Sequence, residues 1–436
     1  MTQLAFQLSR SAPLHVSIFY VLFAYGLCAV VLVLALRNAR IGRRGVFDYL
    51  ALFTWFVAGV GVAFWVIQVV RLPPDSISYW RWASAISERG FAVAVLDTNL
   101  KRGLSNLGVN AFVLLEAGLT YVLPARYEIL QIFNIMVATF AIFFACQTAR
   151  MLFGERVAQT TLVLFVTYFA LYWHGLHNLR EAIQLFFIGA WMWSFFRWRA
   201  ERRAASLVAA LASAAMVVLF RVENFIIFAA FVSLYALATA RSALQFLPRL
   251  VVVLAAAAVA VKAAFAVTNN DPLRAINFAR SLRIEGGYYL ELPDLESFFD
   301  LVWQAPISLS FFLVPVKPWQ IDVGTQFIRD YLSSQSQLLL LGLGLVGAVA
   351  AARRHSERKL IAVFVLAFLA MAGVYSLPEV SASSASRHSL FWYYFLMMFA
   401  AVGFHRLRAG LARLAAAHAR ARPDLRPART PHHATP

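Results

Sequence analysis

Acidic residues are scarce in this chain: 21 Asp and Glu stand against 39 Lys and Arg, and charged residues make up only 14% of 436 positions. Hydrophobic residues account for 61%, and the mean hydropathy is +0.69. That leaves too little polar surface to coat an ordinary soluble globule of this length. Cysteine is nearly missing. Cys28 and Cys146 both fall inside apolar runs, which argues against a disulfide framework and a thiolate metal site. There is no Walker loop, GxSxG elbow, dinucleotide fingerprint or HExxH helix. Without a glycine loop to cradle phosphates, direct use of a nucleotide donor at the cytoplasmic face is disfavoured. Zinc-finger spacings and RNP-like aromatic strands are absent as well, so the basic excess does not point to nucleic acid.

What the chain has instead is a series of apolar runs long enough for a hydrocarbon core of ~30 Å. The expected fold is an all-α polytopic membrane protein of about 11 transmembrane helices. The spans are placed near 14–36, 48–70, 127–147, 157–174, 182–196, 205–220, 224–240, 248–267, 335–352, 359–376 and 389–404. Arginine-rich turns set the orientation: Arg37 to Arg44, Arg150 and Arg156, Arg197 to Arg203, Arg241 and Arg249, and Arg353 to Lys359. Placing all of them in the cytoplasm, against an anionic leaflet, puts the N-terminus outside and the C-terminus inside. The first run has no basic region before it and no small-residue cleavage site after it, so it reads as a permanent helix.

Residues 1–404 are therefore expected to form one membrane domain, and 405–436 a basic cytoplasmic tail without apolar periodicity, read as disordered. Two outer loops interrupt the spans. Residues 71–126 read as a pair of helices lying along the outer interface, with Trp80 and Trp82 at headgroup level. Residues 268–334 are the most hydrophilic segment. They carry Asp294, Glu296 and Asp300, followed by an apolar stretch, Ile307 to Val314, that ends at Pro315 and is too short to cross. We expect that stretch to be re-entrant or interfacial.

With this topology, several ionisable residues collect on the outer side. Asp75 follows Pro73-Pro74, where a helix N-cap role is as plausible as a chemical one, and Tyr79 lies one turn on along the same face. Arg180 and Glu181 open a span just after His177-Asn178. They fit a snorkelling arginine and an acid at a helix N-terminus, yet this is the side where basic residues are otherwise few. Arg221 and Glu223 sit between apolar segments with almost no loop around them, a costly position that suggests a site. Arg387-His388 ends the small-residue loop 381–386; guanidinium there suits a phosphate, and a lone anchoring charge is the plainer alternative. The acids Asp294, Glu296 and Asp300 read as a solvated face. A divalent cation is possible in principle but unsupported, His174 and His177 lack a third ligand, and no metal or other cofactor is expected.

An Asp shortly after an early span, a Tyr four residues on and an outer interfacial helix pair resemble the GT-C superfamily of integral membrane glycosyltransferases. Arg150-Met151-Leu152-Phe153-Gly154-Glu155-Arg156-Val157-Ala158 looks like that superfamily's cytoplasmic turn, and Phe220-Arg221-Val222-Glu223 is similar to its outer turn. Phe311 to Trp319 and Ser386-Arg387-His388 are similar to bacterial members associated with surface polysaccharide. The likeness covers about residues 48–404 through short motifs in a common order. It departs from the superfamily in an extra leading span and in a single clear acid in the first outer loop. The resemblance implies an enzyme of the inner (plasma) membrane with its site facing the periplasm. Such an enzyme takes a sugar from a polyprenyl-phosphate donor to a glycan, lipid or protein acceptor, with inversion. Asp75 would be the catalytic base, Arg180, Arg221, Arg387 and His388 would bind the donor phosphate, and Tyr79, His177, Asn178, Glu181 and Glu223 would bind substrate. Two other readings remain open at this point: a polymerase joining lipid-linked repeat units, and a flippase of lipid-linked sugars.

Overall fold

Long runs of Leu, Ala, Val and Phe offer the backbone no side-chain partners, so each run closes its own hydrogen bonds as a helix. The computed structural model describes residues 17–61, 74–89, 107–240, 242–267, 271–282, 289–320, 325–354 and 358–421. Its first helices are α1 (Ile18–Asn38), α2 (Arg43–Val60), α3 (Pro74–Arg89), α4 (Leu107–Val122), α5 (Tyr127–Phe153) and α6 (Glu155–Thr167). A π-turn (Leu171–Gly175) leads into α7 (Glu181–Glu201) and α8 (Ala204–Phe220), and a 3-10 turn (Val222–Asn224) into α9 (Phe225–Ala238). Next come α10 (Ala243–Val267), α11 (Pro272–Ser281), α12 (Phe298–Leu313), α13 (Thr325–Arg354), α14 (Arg358–Ser376), α15 (Ala382–His388) and α16 (Leu390–Ala421). Among the described residues the only strand-like pairing is an isolated bridge between Tyr289 and Ser381.

Five of these helices, α1, α5, α13, α14 and α16, are long and apolar enough in their described residues to cross a membrane. The helices α4, α8, α9, α10 and α12 are apolar but shorter over the stretch described. The two ends of the scale differ in what surrounds them. Only 17% of the apolar window of α1 is buried inside the protein, against 83% of that of α5. Thus Ile18, Phe19, Leu22 and Leu34 of α1 face outward, as lipid-facing residues would, while α5 is enclosed by α1, α2, α6 and α7.

Packing among the helices rests on aromatic rings and on glycine. Trp191, Phe195, Phe231 and Phe364 form a mutual edge-and-tilt cluster, extended by Phe368 and Phe395, which stack with centroids 4.4 Å apart. Helices α13 and α16 approach so closely that a Cβ on Gly347 would overlap the Phe399 carbonyl, and one on Gly403 the Leu343 carbonyl. At the far end of α5 the chain reverses through Gly154 at φ 91°, a backbone conformation that favours glycine.

The sequence-based expectations meet this fold unevenly. Of 71–126, two helices are described, α3 and α4, and 90–106 between them lie outside the described residues. The second span is described only as far as Gly61, and 422–436 of the tail fall outside as well. One expectation needs correcting: residues 405–421 are not a disordered tail but continue helix α16, which runs Leu390–Ala421. Ile307 to Leu313 form the second half of α12, which starts at Phe298, continues through Pro306 and has Val314 as its C-cap. The start is fixed by a capping box in which Ser297 and Asp300 satisfy each other's backbone N–H groups. Asp300 of the acidic trio is thus spent on a helix terminus.

Candidate functional site

Glu181 is the first residue of α7 and is fully buried. A carboxylate there interacts favourably with the helix N-terminus, but burial demands a closer partner. Arg387 supplies it from α15, with Nε donating to Oε1 at 2.7 Å and Nη2 to Oε2 at 3.2 Å. The third nitrogen, Nη1, donates to Asp75 Oδ2 at 2.8 Å. One guanidinium therefore clasps two carboxylates that are far apart in sequence, one buried and one 56% exposed. Asp75 lies in the first turn of α3, a helix that opens at Pro74. One turn on, Tyr79 is buried against Phe112 of α4 and lies within electrostatic range of Asp75, Arg180, Glu181 and Arg387.

Arg221 reaches the same place from the end of α8. Its guanidinium lies over the Tyr375 and Phe391 rings, 5.3 and 5.9 Å from their centroids, and its Nη2 donates to His388 Nε2 at 2.7 Å. His388 Nδ1 in turn bonds to Glu379, a buried acid in the turn between α14 and α15. Tyr375 donates to Asn224 Oδ1 at 2.9 Å, and Asn224 donates to Gln184 of α7 at 3.2 Å, which ties the end of α8 to α7.

Arg180, just before α7, is weakly held. Its Nη1 donates to the Phe220 carbonyl at 3.4 Å. Its buried Nε, like the buried Nη1 of Arg221, finds no acceptor among the described residues. Burial and then the like charge of Arg221 pull the Arg180 pKa below its ordinary value. Two guanidinium groups with unspent donors, close enough to disfavour one another, make a place where an anion is stabilised.

The fold thus brings Asp75, Tyr79, Arg180, Glu181, Arg221, Arg387 and His388 together. Three other candidates are placed differently. Glu223 is exposed and acts on Arg221 only through space, whereas His388 is the residue bonded to it. His177 Nδ1 shares a hydrogen bond with Gln131 of α5 at 3.1 Å, and Asn134 of α5 donates to the His177 and Leu179 carbonyls. His177 is in this way part of the tie that pins the 176–180 turn. Asn178 lines a small crevice with Glu116 and Asn134. The expectation for Arg387 also changes in kind: each of its nitrogens is committed to a carboxylate, leaving Arg180 and Arg221 with donors to offer.

Glu379, Tyr375, Asn224 and Gln184 escaped the sequence reading. Only Glu379 carried a usable signal, an acid in the turn Leu377-Pro378-Glu379, a few residues before Arg387-His388. Among the described residues no group of His, Cys, Asp and Glu is arranged to hold a metal ion. Comparison with protein-family models, with curated proteins and with solved structures finds no match to this chain.

Proposed function

We propose that this protein is a membrane glycosyltransferase of the GT-C type, with about 11 spans and the charged cluster at its outer, periplasmic face. The observation that carries the reading is a single charged cluster: Arg387 holds a half-exposed carboxylate, Asp75, while the half-buried Arg180 and the buried Arg221 each keep a buried N–H to spare. A base and an anion site side by side, at one end of an apolar bundle, suit a substrate that is part lipid and part phosphate.

The donor is a polyprenyl-phosphate sugar, its phosphate between Arg180 and Arg221 and its prenyl chain against the helices. Asp75, held by Arg387, takes the proton of an acceptor hydroxyl. The acceptor oxygen bonds to the anomeric carbon as the bond from that carbon to the phosphate oxygen breaks, which inverts the configuration. Polyprenyl phosphate leaves with the electron pair, and the charge it gains is stabilised by the two guanidinium groups, each a contribution of about 3–4 kcal/mol in comparable sites. Glu181 and Asp75 share the Arg387 guanidinium, which fixes where the base sits.

The test is incubation of the purified protein with a panel of polyprenyl-phosphate sugars and candidate acceptors. The expected result is release of polyprenyl phosphate with at least one donor, in step with transfer of one sugar. A ladder of oligomers would instead indicate a polymerase, and movement of lipid-linked sugar between leaflets without chemistry a flippase.

A further inference from the structure

Arg221 needs more than a pair of aromatic rings to serve as an anion ligand. Tyr375 and Phe391 lie under its guanidinium and set the plane, but rotation within that plane decides which N–H points outward. That rotation is fixed by the contact to His388 Nε2 at 2.7 Å. A guanidinium only donates, so Nε2 must be the acceptor and the imidazole proton must sit on Nδ1. There it faces Glu379, a fully buried acid contributed by the turn before α15. A doubly protonated His388 would set an N–H against an N–H at Arg221, which the 2.7 Å separation does not allow. Glu379, His388 and Arg221 therefore form a directional chain in which each proton position dictates the next.

We propose that Glu379 is a positioning residue, holding His388 in its Nδ1–H tautomer so that Nε2 grips Arg221 Nη2 and Nη1 is left for a phosphate. The proposal deepens the donor-phosphate reading above and rests on it for the identity of the ligand. Glu379 touches neither substrate nor leaving group; it acts through the imidazole.

The test uses the full-length protein in detergent, with dodecyl phosphate as probe and ring-15N histidine labelling as a second readout. His388 is identified among the nine histidines by the signals lost in His388→Gln. In the wild type its Nδ1 carries the proton. Glu379→Leu is expected to shift His388 toward the other tautomer and to weaken dodecyl phosphate binding about tenfold, the worth of a charge-assisted hydrogen bond. His388→Phe should lose binding similarly. His388→Gln, whose amide oxygen can stand in for Nε2, should retain it to within about threefold. Size-exclusion and thermal-unfolding profiles establish that the variants are folded. Wild-type tautomer and wild-type binding in Glu379→Leu would overturn the proposal, as would a wild-type His388 protonated on Nε2. A wild-type protein that ignores dodecyl phosphate would sink the donor-phosphate reading instead, and the nitrogen signals would still decide the role of Glu379.

Discussion

Helix α7 begins at Glu181, buried and clasped by an arginine 206 residues away, and ends at Glu201, exposed between Arg197 and Arg203 of its own vicinity. The two ends lie about 30 Å apart along one helix. Arg150 and Glu155 repeat the second pattern at the turn between α5 and α6, with side chains 41% and 53% exposed. Exposed local pairs of this kind form because neighbours in sequence find each other cheaply, and they contribute little. The cluster around Glu181 assembles residues from α3, α7, α8 and α15, and it places ionised groups where desolvation is costly. The difference teaches where to look for chemistry: charge that is remote in sequence, buried and incompletely paired, rather than charge that is merely abundant.

The comparison can be broken at several points. Arg387→Leu should have the largest effect, because it strands Glu181 in a buried site and frees Asp75. We expect a loss of about 3–5 kcal/mol of stability, read by thermal or denaturant unfolding in detergent, together with loss of sugar transfer. Arg180→Ala separates function from fold. It should lower transfer about 10²–10³-fold while leaving the unfolding temperature unchanged or higher, since burial and Arg221 already penalise this charge. Gly347→Val probes packing alone: the added side chain meets the α16 backbone, so unfolding should come earlier by about 1–3 kcal/mol, with the ionic cluster intact in any protein that remains folded. Arg150→Ala and Glu201→Ala should change stability by less than about 1 kcal/mol and transfer not at all, which spectroscopic unfolding and the same transfer assay would check.

Much of this is legible in the sequence. Hydropathy marked the helices, because it follows from composition over long windows. Asp75, Glu181, Arg221 and Arg387 stood out because an ionised group is rare in such a sequence. What the sequence could not convey was the pairing. Nothing local links Arg387 to Glu181 rather than to a ligand, and nothing links Arg221 to His388 rather than to Glu223 two residues away. Tyr375, Asn224 and Gln184 were invisible for the opposite reason: they are neutral residues in or beside helices, and only packing gives them a partner. The continuation of α16 through 405–421 was hidden because alanine and arginine there show no apolar periodicity, although both are strong helix formers.

The account depends most on Asp75 as the base, and its isosteric replacement is the most direct measurement. Asp75→Asn keeps size and can still accept a hydrogen bond from Arg387, and the side chain is 56% exposed, so the fold should persist. With a polyprenyl-phosphate sugar that the wild type uses, release of polyprenyl phosphate by purified Asp75→Asn should fall by at least about 10²-fold. Wild-type rates from that variant would contradict the mechanism.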